Sequence, residues 1–267
     1  MIGLFLGKTD FPKLIIKKLK KKKIKYLIID LTKKKIFNDH NSYHISIGQF
    51  GKILNLLNYK KCKRVIFAGK IDKPQISKLK LDLKGFYYIT RIIKAAKKGD
   101  AAILKELIKI LLENKIKVIS SISFNPELTL KKGIYSKIKP NKDDALYIKK
   151  GIKILKKTGS YDHVQAVIVR KNDIIKETRS GTRNLIKSIK KNRSQNGVLI
   201  KFPKTKQDLR VDLPTIGIDT FKDIKLKNLK GIVVKGNQNI ILDKKDCFKF
   251  IDKNKMFLIA KWKKYLF

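Results

Sequence analysis

The chain has 267 residues, with 66 Lys and Arg against 21 Asp and Glu, a formal net charge of +45. Apolar residues make up 43%, which excludes a disordered polycation and suffices for one large or two ordinary packed domains. Two distant cysteines, Cys62 and Cys247, exclude a disulfide framework and read as reduced, buried thiols of a cytoplasmic protein.

The opening residues, 1–12, lack a basic leader, and Lys8 and Asp10 interrupt their apolar run, so they do not read as a signal peptide. Ile2–Leu6 reads as a short buried strand, followed by a turn at Gly7. A helix opens near residues 10–12, with Thr9 or Asp10 as cap and Pro12 in the first turn. Residues 25–31 and Arg64–Ala68 are further strands, and 49–58 between them has helical apolar spacing. Residues 99–114 form an amphipathic helix with Asp100 at its N-terminus, and 117–121 a strand. Strands alternating with helices predict a mainly parallel wound sheet.

The pattern shifts across residues 131–142, where Gly133, Pro140 and Asn141 sit among lysines. A boundary there gives domains 1–132 and 133–267. Residues 143–157 read as a helix stopped by Thr158 and Gly159. Residues 164–170 and 174–178, joined through Lys171, Asn172 and Asp173, read as a hairpin. Residues 197–202, 209–213, 231–234, 239–242 and 257–260 read as strands, and 220–229 and 244–254 as helices. Hairpins mixed with helices predict a mixed sheet. No run reaches the ~20 apolar residues needed to cross a bilayer.

The charge invites a nucleic-acid reading, but its distribution argues otherwise. Only seven of the 66 cations are Arg, leaving 59 Lys spread from end to end. Arg, the residue suited to bidentate base and phosphate contacts, is scarce. Lys, Ile and Asn share AT-rich codons, so genome-wide base bias explains most of the lysine. A specific nucleic-acid binder would cluster its cations beside stacking aromatics, whereas the aromatics here lie mostly inside apolar runs. The surface should still attract anionic lipid headgroups in a salt-dependent way, which allows peripheral contact with an inner membrane.

Residues 204–217 carry the chemistry. In an extended backbone, Asp208, Arg210 and Asp212 would share one face and Leu209, Val211 and Leu213 the other. Pro214 cannot donate to a ladder and would end the strand. Two carboxylates and a guanidinium beside Lys204 and Lys206 suit a phosphate and a divalent cation. Spacing alone favours a plainer reading, a surface strand with a solvated ion pair. Gly7-Lys8-Thr9-Asp10 could cradle a phosphate at a helix N-terminus, although an ordinary turn explains it. Ala68-Gly69-Lys70 could line a crevice at the sheet's carboxyl edge or be a plain strand exit. Gly99-Asp100 fits a helix cap better than a ligand contact. His40, His44 and His163 show no metal-ligand grouping, and His163 reads as local structure. Asp212 has the best case among the acids, then Asp208.

The wording Gln-Asp-Leu-Arg-Val-Asp-Leu-Pro-Thr-Ile-Gly over 207–217 resembles the signature of LpxI-type UDP-2,3-diacylglucosamine pyrophosphatases, enzymes of lipid A synthesis in Gram-negative bacteria. Blocks 2–12 (IGLFLGKTDFP), 47–52 (IGQFGK), 67–74 (FAGKIDKP), 98–104 (KGDAAIL), 162–167 (DHVQAV) and Gly181-Thr182 resemble the family in the same order. The resemblance implies an N-terminal Rossmann-like domain, a C-terminal catalytic α/β domain, and a lipid product held between them. It implies Mg²⁺-dependent water attack on the α-phosphorus of UDP-2,3-diacylglucosamine, releasing UMP and 2,3-diacylglucosamine 1-phosphate. Asp212 would carry activity, as metal ligand or water-orienting group, with Arg210 and Asp208 beside it. Asp10, Gly69, Lys70, Gly99, Asp100, Gln165, Gly181, Thr182 and Lys204 match ligand-lining blocks. The implied partner is a lipid-linked nucleotide sugar, in a cytoplasmic protein for which a homodimer is the one assembly suggested. Two departures stand out. Ser180-Gly181-Thr182-Arg183 replaces the family's Glu-Gly-Thr-Asp, and Val164 replaces a Gly. Alternatives are therefore a weakened member that binds lipid without cleaving it, or a basic nucleic-acid-binding protein.

Overall fold

A computed structural model describes residues 1–32, 34–71, 78–158, 164–171, 173–205 and 207–261. They fall into two compact units, Met1–Asn125 and Pro126–Phe267.

In the first unit, β1 (Ile2–Leu6), β2 (Tyr26–Asp30), β3 (Ser42–His44), β4 (Arg64–Ala68) and β5 (Lys117–Val118) form an all-parallel sheet in the order β3-β2-β1-β4-β5. Parallel neighbours cannot be joined by tight turns, so helices occupy the crossovers. These are α1 (Phe11–Lys21), α2 (Phe50–Tyr59), α3 (Leu83–Ala96) and α4 (Asp100–Glu113). Every residue of β1 and β2 is buried, which is why both read as continuous apolar runs rather than alternating ones. The chain builds outward from β1 to β3, then returns to the far side of β1 for β4. The direction of winding therefore reverses between β1 and β4, and such a reversal leaves a crevice at the strands' carboxyl ends. The strand expected over 117–121 contracts to two residues at the sheet edge. β3 and α3 were not expected from the sequence.

The second unit holds a mixed sheet in the order β6-β13-β11-β9-β7-β8. Its strands are β6 (Gly133–Ile134), β7 (Ala166–Arg170), β8 (Asp173–Lys176), β9 (Val198–Lys201), β11 (Gly231–Lys235) and β13 (Phe257–Lys261). β9, β11 and β13 run parallel, while β7, β8 and β6 pair antiparallel with their neighbours. Side-chain alternation divides the core. Val167, Val169, Val198, Ile200, Val233 and Phe257 pack with Ile148 of α5 (Lys142–Lys157). Ile168, Leu199, Ile232 and Leu258 face the other way. There they meet α6 (Thr182–Ser188), α7 (Ile218–Leu226) and α8 (Lys244–Lys253) through Leu185, Phe221 and Ile251. A reciprocal capping box between Asn141 and Asp144 starts α5, satisfying two orphan backbone donors. Gly159 and Asn172 lie outside the described residues; Thr158 is the C-cap of α5. β10 (Thr215–Ile216) and β12 (Ile240–Ile241) form a separate parallel pair.

The strand expected over 209–213 is absent. Residues 209–211 form a turn in which the Val211 and Asp212 N–H groups donate to the Asp208 carbonyl at 3.2 and 3.0 Å. The Asp208 carboxylate accepts the Arg210 N–H at 3.0 Å. An aspartate that bonds backbone two residues on offers the chain an alternative to a ladder, and it wins here. The single polar face deduced from alternation therefore does not exist.

Candidate active site

The second unit gathers polar groups at the carboxyl ends of its parallel strands. Lys201 closes β9, and only 8% of it is exposed. Its ammonium donates to the Thr215 carbonyl at 2.9 Å, while its own carbonyl accepts from Asn239 Nδ2 at 3.0 Å. Asn239 Oδ1 in turn accepts the Lys235 N–H at the end of β11. Burial drives the Lys201 pKa down from 10.5; the negative charges of Glu177 and Asp212 pull it back up. The buried Lys201 thus feels the charge of the buried Glu177 and the half-buried Asp212, and at a poorly hydrated group such interactions are far stronger than in water.

Glu177 follows β8 and is itself buried. Its Oε2 accepts the Gln165 N–H at 2.9 Å and its Oε1 accepts the Thr182 hydroxyl at 2.5 Å. Gln165 and Thr182, both expected to line a ligand, are therefore tied to one carboxylate. Gly181, with φ +87°, is the N-cap residue that turns the chain into α6 at Thr182. Gln165 Oε1 is buried without a hydrogen-bond partner, an orphan acceptor of the kind that ligands or ions satisfy.

Asp212 reaches this cluster from the 208–212 turn. Gln207 Nε2 donates to the Asp212 carbonyl at 3.0 Å, and Gln207 Oε1 accepts the Lys204 N–H at 2.8 Å. Leu213 and Pro214 are buried immediately afterwards, and the Pro214 carbonyl accepts the Ile240 N–H. Anchors on both sides hold the half-buried Asp212 in place. Asp208 and Arg210 instead satisfy each other: Arg210 Nη2 lies 2.7 Å from Asp208 Oδ2 and Nε 3.0 Å from Oδ1. These bonds raise the Arg210 pKa above its usual value. The pair shapes the turn, so the shared strand face expected of Asp208, Arg210 and Asp212 is not formed. Lys206 and His163 lie outside the described residues.

In the first unit, Gly69 and Lys70 leave β4 against the turn after β1. Lys8 and Lys70 exchange backbone bonds of 2.8 Å, and Gly7 N donates to the Ala68 carbonyl. Gly69 has φ +84°, and a Cβ there would lie 2.6 Å from the Lys8 carbonyl oxygen. Close backbone approach at the winding reversal explains this glycine. Thr9 has φ 109°, a costly conformation for a residue with a side chain. Asp10 is the N-cap residue of α1 without a side-chain cap bond, and it pairs with Lys13 at 2.8 Å. Gly99 (φ 106°) turns the chain into α4, and Asp100 is that helix's first residue. Asp100 also lines an apolar cavity of about 230 Å³ with Phe50, Leu81, Tyr88, Ile92 and Ile103.

Family models for the LpxI N-terminal domain and the LpxI C-terminal domain match residues 1–128 and 131–259. The chain belongs to the LpxI family. A curated relative, the UDP-2,3-diacylglucosamine pyrophosphatase LpxI of Caulobacter vibrioides, is 29% identical over 225 residues. The match covers 81% of this chain and 80% of the relative.

Where this LpxI member departs from the family's acids, the replacements are engaged locally. Arg183 Nε lies 3.4 Å from Asp223 Oδ2, and Ser180 Oγ is 2.6 Å from Thr178 Oγ1. Glu177 supplies the carboxylate on the Thr182 hydroxyl. Lys201, Glu177 and Asn239 went unrecognised in the sequence. The available signal was a lysine ending the apolar run Val198–Ile200, and it was hidden among 59 lysines.

Mg²⁺ takes one or two carboxylates and completes an octahedron with water and phosphate oxygens. Asp212 and the orphan Gln165 Oε1 are hard oxygen donors that suit it. Among the described residues no group of three or more His, Cys, Asp or Glu comes together as a metal cage.

Proposed function

We propose that the chain is a UDP-2,3-diacylglucosamine pyrophosphatase of lipid A synthesis, cleaving its substrate at the α-phosphate to UMP and 2,3-diacylglucosamine 1-phosphate. The observation that carries this reading is the cluster of Lys201, Glu177 and Asp212 in the unit matched by the LpxI C-terminal model. The family and its curated relative support the substrate class.

Asp212 orients the attacking water and takes up its proton. The water oxygen bonds to the α-phosphorus as the bond to the bridging oxygen breaks, and that oxygen leaves with the β-phosphate. Lys201 faces the developing negative charge from a fixed, poorly hydrated position, where one preorganised donor is worth most. The diphosphate adds negative charge beside Lys201, which raises its pKa again and favours the ammonium form when substrate is bound. Glu177 positions Gln165 and Thr182 around the phosphates. Mg²⁺, held by Asp212 and Gln165, would neutralise phosphate charge and polarise the P–O bonds.

Purified protein given Mg²⁺ and UDP-2,3-diacylglucosamine in ¹⁸O-water should release UMP carrying the label. Asp212→Ala should lower the rate by about 10²-fold or more while still binding lipid. Absence of UMP under varied divalent metals, or an Asp212→Ala variant as fast as the parent, would refute the assignment.

A further inference from the structure

The first turn of α3 is rigid. The Asp82 carboxylate accepts the Gly85 N–H at 2.7 Å, capping α3, and also the Gly51 and Lys52 N–H groups at 3.0 and 2.9 Å, capping α2. Burial pushes its pKa up, but these three bonds outweigh that and hold it below 3.8. Gly85 sits hard against the Gly48 carbonyl, where a Cβ would lie 2.0 Å from the oxygen.

What this rigid turn presents outward is apolar. Leu83 is 92% exposed, Phe86 73% and Tyr87 70%, with Leu81 beside them. Exposed Lys78, Lys80 and Lys84 precede and interrupt these residues in the chain, and exposed Lys94, Lys97 and Lys98 lie toward the helix's other end. The carboxylates nearby are mostly engaged: Asp82 in the caps, and Glu106 and Glu113 on Arg91. Asp100, at the start of α4, is exposed as well. The same helix lines the apolar cavity through Gly85 and Tyr88.

Grouped exposed apolar side chains inside a polar frame mark an interaction surface. The lysine frame selects the occupant. A second copy related by a two-fold axis would set identical lysines face to face. A bilayer surface offers what the patch lacks: phosphates for the ammonium groups and a headgroup–acyl boundary for Leu, Phe and Tyr. We propose that this face of the first unit docks on an anionic lipid surface, Leu83, Phe86 and Tyr87 entering the boundary and Lys78, Lys80 and Lys84 meeting lipid phosphates. The claim concerns binding to a surface and stands independently of hydrolysis.

Because a net charge of +45 drives some adsorption by itself, the decisive quantity is the salt-resistant part. Full-length protein is sedimented with phosphatidylcholine vesicles, with and without phosphatidylglycerol, at about 0.1 M and about 1 M salt. The parent should keep binding the anionic vesicles at high salt. The triple variant Leu83→Ser/Phe86→Ser/Tyr87→Ser, with its melting temperature checked, should lose at least about tenfold of that binding. Lys80→Glu/Lys84→Glu should weaken low-salt binding several-fold more than the equally charged control Lys149→Glu/Lys150→Glu on α5. The proposal falls if the triple variant binds like the parent, or if the two charge variants are equivalent. It also falls if light scattering shows a parent dimer that the triple variant loses, since a second copy would then cover the face.

Discussion

Replacing Lys201 by Met separates the stability of the second unit from its chemistry. Met nearly matches the volume of the buried stem but removes the ammonium. The Thr215 carbonyl then loses a 2.9 Å donor, which costs about 1–3 kcal/mol for an unsatisfied buried acceptor. Against this, the ammonium of a lysine only 8% exposed no longer has to be held out of water, a gain of similar size. The net change in unfolding free energy should therefore stay within about 1–2 kcal/mol. Transition-state stabilisation has no such offset, so loss of one preorganised donor should lower kcat about 10²- to 10³-fold, or about 2.7–4 kcal/mol. The pH dependence carries an independent sign. Burial lowers the folded pKa of Lys201 below the 10.5 of the unfolded chain. Between those values the unfolded chain binds more protons, so parent stability rises with pH up to 10.5. The Met variant should lack that contribution. Urea unfolding across pH and UMP release by chromatography measure the two halves. A variant with parental kcat, or one whose activity falls only in proportion to its unfolded fraction, would refute the role given to Lys201.

Asp82→Ala removes the caps of both α2 and α3 and should cost about 2–4 kcal/mol, lowering the melting temperature by roughly 4–16 °C, followed by circular dichroism. Gly69→Ala meets both a φ of +84° and two carbonyl oxygens within 2.7 Å, so it should cost about 2–4 kcal/mol. Gly181→Ala has the same backbone sign but open space around its Cβ, and should cost only about 1 kcal/mol; equal losses in urea unfolding would show that crowding contributes nothing. Asp39 is subject to burial, which pushes its pKa up, but bonds from Lys20, the Asn41 N–H and Tyr26 win and hold it at about 2. The folded value lies below the unfolded 3.8, so its stabilisation is complete above that pH and fades as the pH falls through about 2. Asp39→Asn should flatten the acid limb of stability in that window, read by unfolding curves at successive pH values.

Much of the fold was legible because its signals are local. β1, β2, β4, β7, β9 and β13 are short apolar runs bounded by turns, and α1, α4, α5 and α8 carry apolar stripes, α5 with its own capping box. α3 escaped because its apolar residues circle the helix: Leu83, Phe86 and Tyr87 face outward while Ile89 and Ile92 line the cavity. The 209–213 segment misled for the opposite reason. Its alternation is a clean strand pattern, yet the Asp208 side chain captures the Arg210 N–H, and the short range of that bond leaves no trace in the spacing.

Many of the strands and helices, the composition of both cores and the expectation placed on Asp212 were written in the chain itself, since periodicity, turns and the 207–217 wording each depend on near neighbours. Tertiary structure alone brought Glu177, Lys201 and Asp212 together from a hairpin end, a strand end and a turn. Burial at a shared sheet edge is a property of how distant segments pack. Only that burial distinguishes Lys201 from dozens of solvated lysines, because removal from water makes its charge felt by two carboxylates at once.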